Sequence, residues 1–261
     1  NSNNDLIREK LGWDYTQTLE EGIRKTYNWI SMQICRETIS SATIENKEYD
    51  LLASVSMRSL VTGGAGFIGS HLVDKLLEMG HQVTVVDNES SICNQKFYWN
   101  DKAWNVKADI SDAQVMEQVF SCVNEGMPKI DWVFHLAAYS RIQIALKNPV
   151  GCVRTNVLGT TTLLQNAREH GVKAFVNSST SSSYGLKNEP PLREDMTPDC
   201  LNPYSVSKVA AENMCNMYSD LFDLNIVNLR YFNVYGDRQP LLGQYAPCLL
   251  YTSPSPRDTT A

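Results

Sequence analysis

A run of glycines, Thr62-Gly-Gly-Ala-Gly-Phe-Ile-Gly69, constrains this chain more than any other stretch. It follows the short apolar run Arg58 to Thr62, which reads as a strand. It opens the stretch Phe67 to Met79, where Ile68, Leu72, Leu76 and Met79 share one helical face. Gly63, Gly66 and Gly69 satisfy G-x-x-G-x-x-G, and Gly64, Gly66 and Gly69 satisfy G-x-G-x-x-G. Between a strand and a helix, glycines allow positive φ and close approach of a ligand to the backbone. The first N–H groups of the helix then face outward and favour an anion. The pattern predicts a seat for a dinucleotide pyrophosphate.

Short apolar runs alternate with helical stretches beyond this point. Strands are predicted over 82–87, 104–108, 131–136, 173–178 and 225–231, and helices over 112–123, 149–170 and 203–221. Pro149 suits a first helical turn and Gly171 a helix end. Strands separated by helices imply parallel pairing with right-handed crossovers, hence a doubly wound, Rossmann-type α/β sheet. Its crevice should lie at the carboxyl ends of the strands.

The second strand ends at Asp87, eighteen residues after Gly69, followed by Asn88. A carboxylate there accepts hydrogen bonds from two ribose hydroxyls and repels a 2′-phosphate, which favours NAD over NADP. Asp109-Ile110, after the third strand, is placed either to flank the adenine or, through Asp109, to cap the following helix.

Tyr204-Ser-Val-Ser-Lys208 lies about 140 residues downstream of the glycines. At i and i+4 the tyrosine and lysine share a helix face. A free tyrosine titrates near 10. A cation about 4 Å away contributes roughly 4 kcal/mol at an effective dielectric of about 20. That corresponds to about three pKa units, less the cost of desolvating the phenolate. Tyr204 would then serve as a general base toward a hydroxyl, with Lys208 also able to hold the nicotinamide ribose. The hydroxyl-rich run Asn177 to Gly185 follows the fifth strand. It either steadies a reacting oxygen or satisfies its own backbone.

A net charge of −6 gives no basic footprint for nucleic acid or an anionic membrane surface. No apolar run reaches the length of a membrane span, and no signal-peptide pattern opens the chain. The seven cysteines are scattered without a Cys-x-x-Cys pair, and the four histidines lack ligand spacing. Reduced thiols in a cytoplasmic protein without a metal site are therefore expected.

With these motifs in order, residues from about Met57 to Leu249 resemble the extended short-chain dehydrogenase/reductases, in their NAD-dependent epimerase/dehydratase branch. The resemblance rests on TGGAGFIGSHL at 62–72, VVDN at 85–88, HLAA at 135–138, TNVLGT at 155–160, YSVSK at 204–208 and RYFNVYG at 230–236. It implies that Gly63, Gly66, Phe67, Ile68 and Gly69 contact the pyrophosphate and that Asp87 and Asn88 meet the adenosine ribose. Asp109 and Ile110 would bracket the adenine, and Leu136, Ala137, Ala138 and Asn156 would border the cofactor. Thr180, Tyr204 and Lys208 would form the catalytic trio. Arg141, Ser181, Ser182 and Asn233 would face the substrate.

Dehydratases of the family carry an Asp-Glu pair where this chain has Ser181-Ser182, which argues against dehydration. The implied activity is 4-epimerisation of UDP-glucose and UDP-galactose through a 4-keto sugar, with NAD retained, in a homodimer. Competing readings are a UDP-N-acetylhexosamine epimerase, a decarboxylase or reductase of the family, and a non-catalytic NAD-binding module.

The ends follow another pattern. Residues 1–40 carry their own helical face, with Thr18 and Glu21 as a capping box. Residues 1–36 resemble the C-terminal end of another family member, a GDP-mannose 3,5-epimerase. A linker is expected over 41–56, an NAD-binding domain over 57–250 with much of its substrate lobe missing, and a disordered, non-native tail over 251–261.

Overall fold

The computed structural model describes residues 57–121 and 129–240. The helix, linker and tail expected at the chain's ends, and residues 122–123 of the helix expected over 112–123, lie outside them.

Six strands form one parallel sheet: β1 (Arg58–Thr62), β2 (Gln82–Asp87), β3 (Trp104–Lys107), β4 (Trp132–His135), β5 (Ala174–Thr180) and β6 (Ile226–Tyr231). Their spatial order is β3-β2-β1-β4-β5-β6, so the winding reverses between β1 and β4. The expected doubly wound sheet is present, and this reversal is the place where such sheets open a crevice. Register is fixed by alternation along each strand. Leu60, Val86, Val133 and Phe175 enter one core, and Val61, Val85, Phe134 and Val176 enter the other.

Helices cover both cores. α1 (Phe67–Glu78) turns Leu72, Val73 and Leu76 onto β1 and β2. On the opposite face lie α2 (Ala113–Ser121), α5 (Thr160–Glu169) and α6 (Pro203–Phe222). They contribute Met116, Val119, Phe120, Leu163, Leu164, Cys215 and Tyr218. α2 starts later than expected because Asp112 caps it, its carboxylate accepting from the N–H groups of Gln114 and Val115. Asp109 instead closes a turn on Ser111, at 2.8 Å to both its N–H and its hydroxyl.

The helix expected over 149–170 is a composite of α4 (Pro149–Val153), a π-helical turn (Arg154–Gly159) and α5. The π turn coincides with a tight contact. A Cβ on Gly159 would sit 2.6 Å from Ile110 Cδ1. The short α3 (Ile142–Lys147) was not foreseen. β1 and β2 fall where expected, and the other elements differ by one or two residues at their ends.

Candidate active site

A cleft of about 340 Å³ runs along the carboxyl ends of the strands, across the reversal between β1 and β4. Its floor is the glycine turn. Gly63 has φ +69°, and a Cβ there would lie 2.7 Å from Ala137 N, so glycine is required on both counts. Gly66 opens the other way. A Cβ on it would meet only the Gly63 carbonyl oxygen at 3.3 Å and Asn94 Nδ2 at 3.8 Å. Phe67, Ile68 and Gly69 complete that wall.

Asp87 is buried at the end of β2 and lines the cleft. One carboxylate oxygen accepts from Glu89 N–H (2.8 Å) and the other from Ala65 N–H (3.2 Å). Burial raises its pKa, partly offset by those two N–H groups. Each oxygen retains a lone pair for another donor. Asn88 and Ile110 also line the cleft. Asp109 is set back from it, accepting from Asn88 Nδ2 at 3.3 Å.

Leu136, Ala137 and Ala138 line the cleft just beyond β4. Asn156 stands behind this wall, wholly buried in the π turn. Its Oδ1 accepts from Tyr139 N–H at 2.7 Å, and its Nδ2 donates to Ser207 Oγ at 2.9 Å. Ser207 Oγ in turn donates to the Tyr204 carbonyl at 2.8 Å. Asn156 thus ties the wall after β4 to the first turns of α6.

That helix begins with a capping box. Asn202 Oδ1 accepts from Ser205 N–H, Ser205 Oγ accepts from Asn202 N–H, and Pro203 sits in the first turn. The cap fixes where Tyr204 and, one turn later, Lys208 emerge, and both line the cleft. Tyr204 is partly exposed there. Lys208 is only 2% exposed, and its ammonium has no hydrogen bond or ion pair to any described residue. Desolvation lowers its pKa to about 8.

Thr180 ends β5. Its hydroxyl oxygen accepts from Ser182 N–H at 3.1 Å, leaving its own proton available for donation into the cleft. The hydroxyl run splits its work between the two alternatives open in the sequence. Ser183 Oγ donates to the Thr180 carbonyl, whereas Ser178 to Ser182 face the cleft. Arg141 and the exposed Asn233 border it as well.

Sequence reasoning missed Ser179, Tyr231, Phe97 and Asn94, which also line the cleft. Ser179 Oγ is buried without a hydrogen-bond partner among the described residues. Its place at the carboxyl end of β5 was the available signal. Asn94 and Phe97 lie on a loop with no periodicity.

The chemistry of the cleft suits a dinucleotide. It holds an open glycine seat, a buried carboxylate with spare acceptor capacity and a buried ammonium without a hydrogen bond or ion pair among the described residues. Among the described residues no group of three or more His, Cys, Asp or Glu could hold a metal ion, and no helix is long and apolar enough to cross a membrane.

Comparison with known proteins agrees with this geometry. Residues 60–244 match the family model described as GDP-mannose 4,6 dehydratase. The chain belongs to this family. It is the NAD-dependent epimerase/dehydratase family of extended short-chain dehydrogenase/reductases. A relative within it, the UDP-glucose 4-epimerase of Mycolicibacterium smegmatis, is 40% identical over 192 residues, covering 72% of this chain and 59% of the relative. The crystal structure of a Thermotoga maritima UDP-glucose 4-epimerase with UDP-glucose superimposes with a TM-score of 0.68 at 38% identity, covering 75% of this chain and 62% of that one. The Thermus thermophilus UDP-glucose 4-epimerase in complex with NAD gives 0.67 at 34% identity, covering 75% and 61%. The chain therefore spans about three-fifths of the length of these relatives.

Proposed function

We propose that this chain is the cofactor-binding and catalytic part of an NAD-dependent nucleotide-sugar 4-epimerase that interconverts UDP-glucose and UDP-galactose. One observation carries the reading. Tyr204 and the buried Lys208 open onto the same cleft as the glycine seat and Asp87.

In this reading Gly63, Gly66, Phe67, Ile68 and Gly69 hold the pyrophosphate of NAD, and Asp87 and Asn88 hold the adenosine ribose. Ile110 packs on the adenine side, with Asp109 orienting Asn88 from behind. Leu136, Ala137 and Ala138 border the nicotinamide half, and Asn156 fixes that wall from behind. When bound, NAD⁺ would accept hydride from the sugar carbon and return it to the opposite face.

The chain's own residues manage the proton. Lys208 carries its charge below pH about 8 and favours the phenolate of Tyr204 across one helical turn. Tyr204 takes the C4 hydroxyl proton as the 4-keto sugar forms and gives it back as the sugar is reduced. Thr180 donates a hydrogen bond to the same oxygen. Ser181, Ser182, Asn233 and Arg141 border the place where the nucleotide sugar would lie. The serines at 181 and 182 offer no carboxylate for eliminating water, which supports epimerisation over dehydration.

Other parts of the proposal concern assembly and setting. A homodimer through α4 and α6 would cover Val150, Val153 and Val206, which are large and exposed on these neighbouring helices. Four described cysteines are free thiols, in keeping with a cytoplasmic setting. In this reading the NAD-binding domain is assigned to residues 57–250 of the sequence, with 1–40 and 251–261 outside its bounds.

Incubation of the intact gene product carrying this chain with NAD and UDP-galactose tests the activity. UDP-glucose of unchanged mass is expected. NAD binding with no interconversion of the two sugars would overturn the epimerase reading.

A further inference from the structure

Asp74, on the solvent side of α1, joins three segments that border the cleft. Its Oδ1 accepts from Asn100 Nδ2 at 2.7 Å, and its Oδ2 meets Arg238 Nη2 at 2.7 Å. The Arg238 guanidinium carbon lies 5.3 Å from the centre of the Tyr98 ring, within cation–π range. Tyr98 N–H donates at 2.8 Å to the Ala65 carbonyl, inside the glycine turn. One helical turn before Asp74, His71 Nε2–H donates at 2.8 Å to the Asp237 carbonyl. Arg238 adopts φ +66°, a region that residues other than glycine seldom occupy, so its neighbours hold it there.

Both tethered segments contribute to the cleft. Asn94 and Phe97 precede Tyr98, and Asn233, Val234, Gln239 and Pro240 flank Arg238. A dinucleotide seated on the glycine turn would have these two segments beside it. The pair holding them to α1 is about one-third exposed on each side, too wet to contribute much to global stability. Its effect should fall on local opening instead.

We propose that Asp74 and Arg238, with Tyr98, form a latch that sets how fast the dinucleotide leaves the cleft. They are positioning residues, and the inference rests on the NAD reading above. Swinging the 233–240 segment away breaks the ion pair and the cation–π contact together. Loss of the latch should change the rate of cofactor release more than the rate of capture.

The test is stopped-flow release of prebound NADH, chased with excess NAD, from the full chain. Arg238→Met and Asp74→Asn should each release NADH roughly three- to ten-fold faster. The double variant should be no faster than Arg238→Met alone, because that single variant already loses the ion pair to Asp74. Arg238→Lys, which keeps the charge, should recover part of the slow release. Wild-type release should quicken with salt, and release from the variants should not. Lys173→Met, which removes the exposed Lys173–Asp131 pair away from the cleft, should release at the wild-type rate.

Wild-type rates in both latch variants, multiplying effects in the double variant, or equal acceleration by Lys173→Met would overturn the latch while leaving NAD binding intact. A wild-type chain that holds no NADH would overturn the cofactor reading and the latch with it.

Discussion

Thr62 Oγ1 and His135 Nδ1 lie 2.8 Å apart at the adjoining ends of β1 and β4, and their hydrogen bond has only one direction. Thr160 Oγ1 donates to the Asn156 carbonyl, so it must accept from His135 Nε2–H at 2.9 Å. His135 Nδ1 is therefore the acceptor and the Thr62 hydroxyl the donor. The Thr62 oxygen then accepts from Ala137 N–H at 3.3 Å. This chain of bonds joins the glycine turn, the wall after β4 and the π turn.

The neutral imidazole in that chain predicts acid sensitivity. Burial, with the nearby Lys208 charge, lowers the His135 pKa from 6.5 to about 3. Between those values the unfolded chain binds a proton that the folded chain refuses, so stability falls as pH falls. At pH about 4.5 the loss should be roughly 2–3 kcal/mol. In urea titrations across pH, His135→Gln should lower stability at neutral pH yet flatten the decline between about pH 6.5 and 4. An equally steep acid limb in the variant would contradict the assignment.

Lys208 predicts a conflict between stability and function. Its folded pKa of about 8 lies below its ordinary 10.5, so burying the charged form opposes folding at neutral pH. As pH rises from about 8 toward 10.5 the folded chain sheds its proton first and that opposition fades. Lys208→Met should therefore stabilise the cofactor-free chain, by on the order of 3 kcal/mol before losses in packing. It should also abolish turnover. Thermal melting and an activity assay on the same preparation check both halves.

Tyr204→Phe removes only the phenolic oxygen. NAD affinity should stay within about twofold, while turnover falls by 10²- to 10⁴-fold or so, the usual loss of a general acid–base group. Calorimetric NAD titration and product chromatography separate these effects. Retained turnover would exclude Tyr204 as the proton acceptor.

The glycine turn should separate folding from binding. A Cβ at Gly69 would lie 2.7 Å from Gly64 Cα and closer still to the Gly63 carbonyl oxygen, all backbone. Gly69→Ala should cost about 3 kcal/mol or more in stability. A Cβ at Gly66 meets little protein and projects into the seat. Gly66→Ala should fold almost normally and bind NAD at least about tenfold more weakly, a loss of about 1.4 kcal/mol. Chemical denaturation and NAD titration of the two variants should give opposite rankings.

The six strands and the long helices were legible because their apolar residues recur at a fixed period. α1 and α6 fall almost where Leu72, Leu76 and the Pro203 turn indicate. The π turn at 154–159 was not legible, because an extra residue in one helical turn leaves no mark on a pattern that tolerates gaps. What coincides with it, Gly159 against Ile110, is a contact between residues almost fifty positions apart. Asp109 was the cap candidate in sequence, but the hydrogen bonds give that role to Asp112 and leave Asp109 in a turn on Ser111.

The site followed the same division. Residues at strand ends, such as Asp87 and Thr180, could be placed from topology. Asn94 and Phe97 could not, since their loop is held through Tyr98 to Ala65 and Asn100 to Asp74, bonds that no local pattern encodes.

The strand order has a consequence for synthesis. β1 is made first among the six, yet its partner β4 starts seventy residues later, and the helix bearing Tyr204 and Lys208 later still. A nascent chain emerging from the ribosome would hold its glycine turn long before the opposite bank of the groove exists. Cofactor capture is thus a late event in the chain's birth, and until then the central strand waits with one edge uncovered.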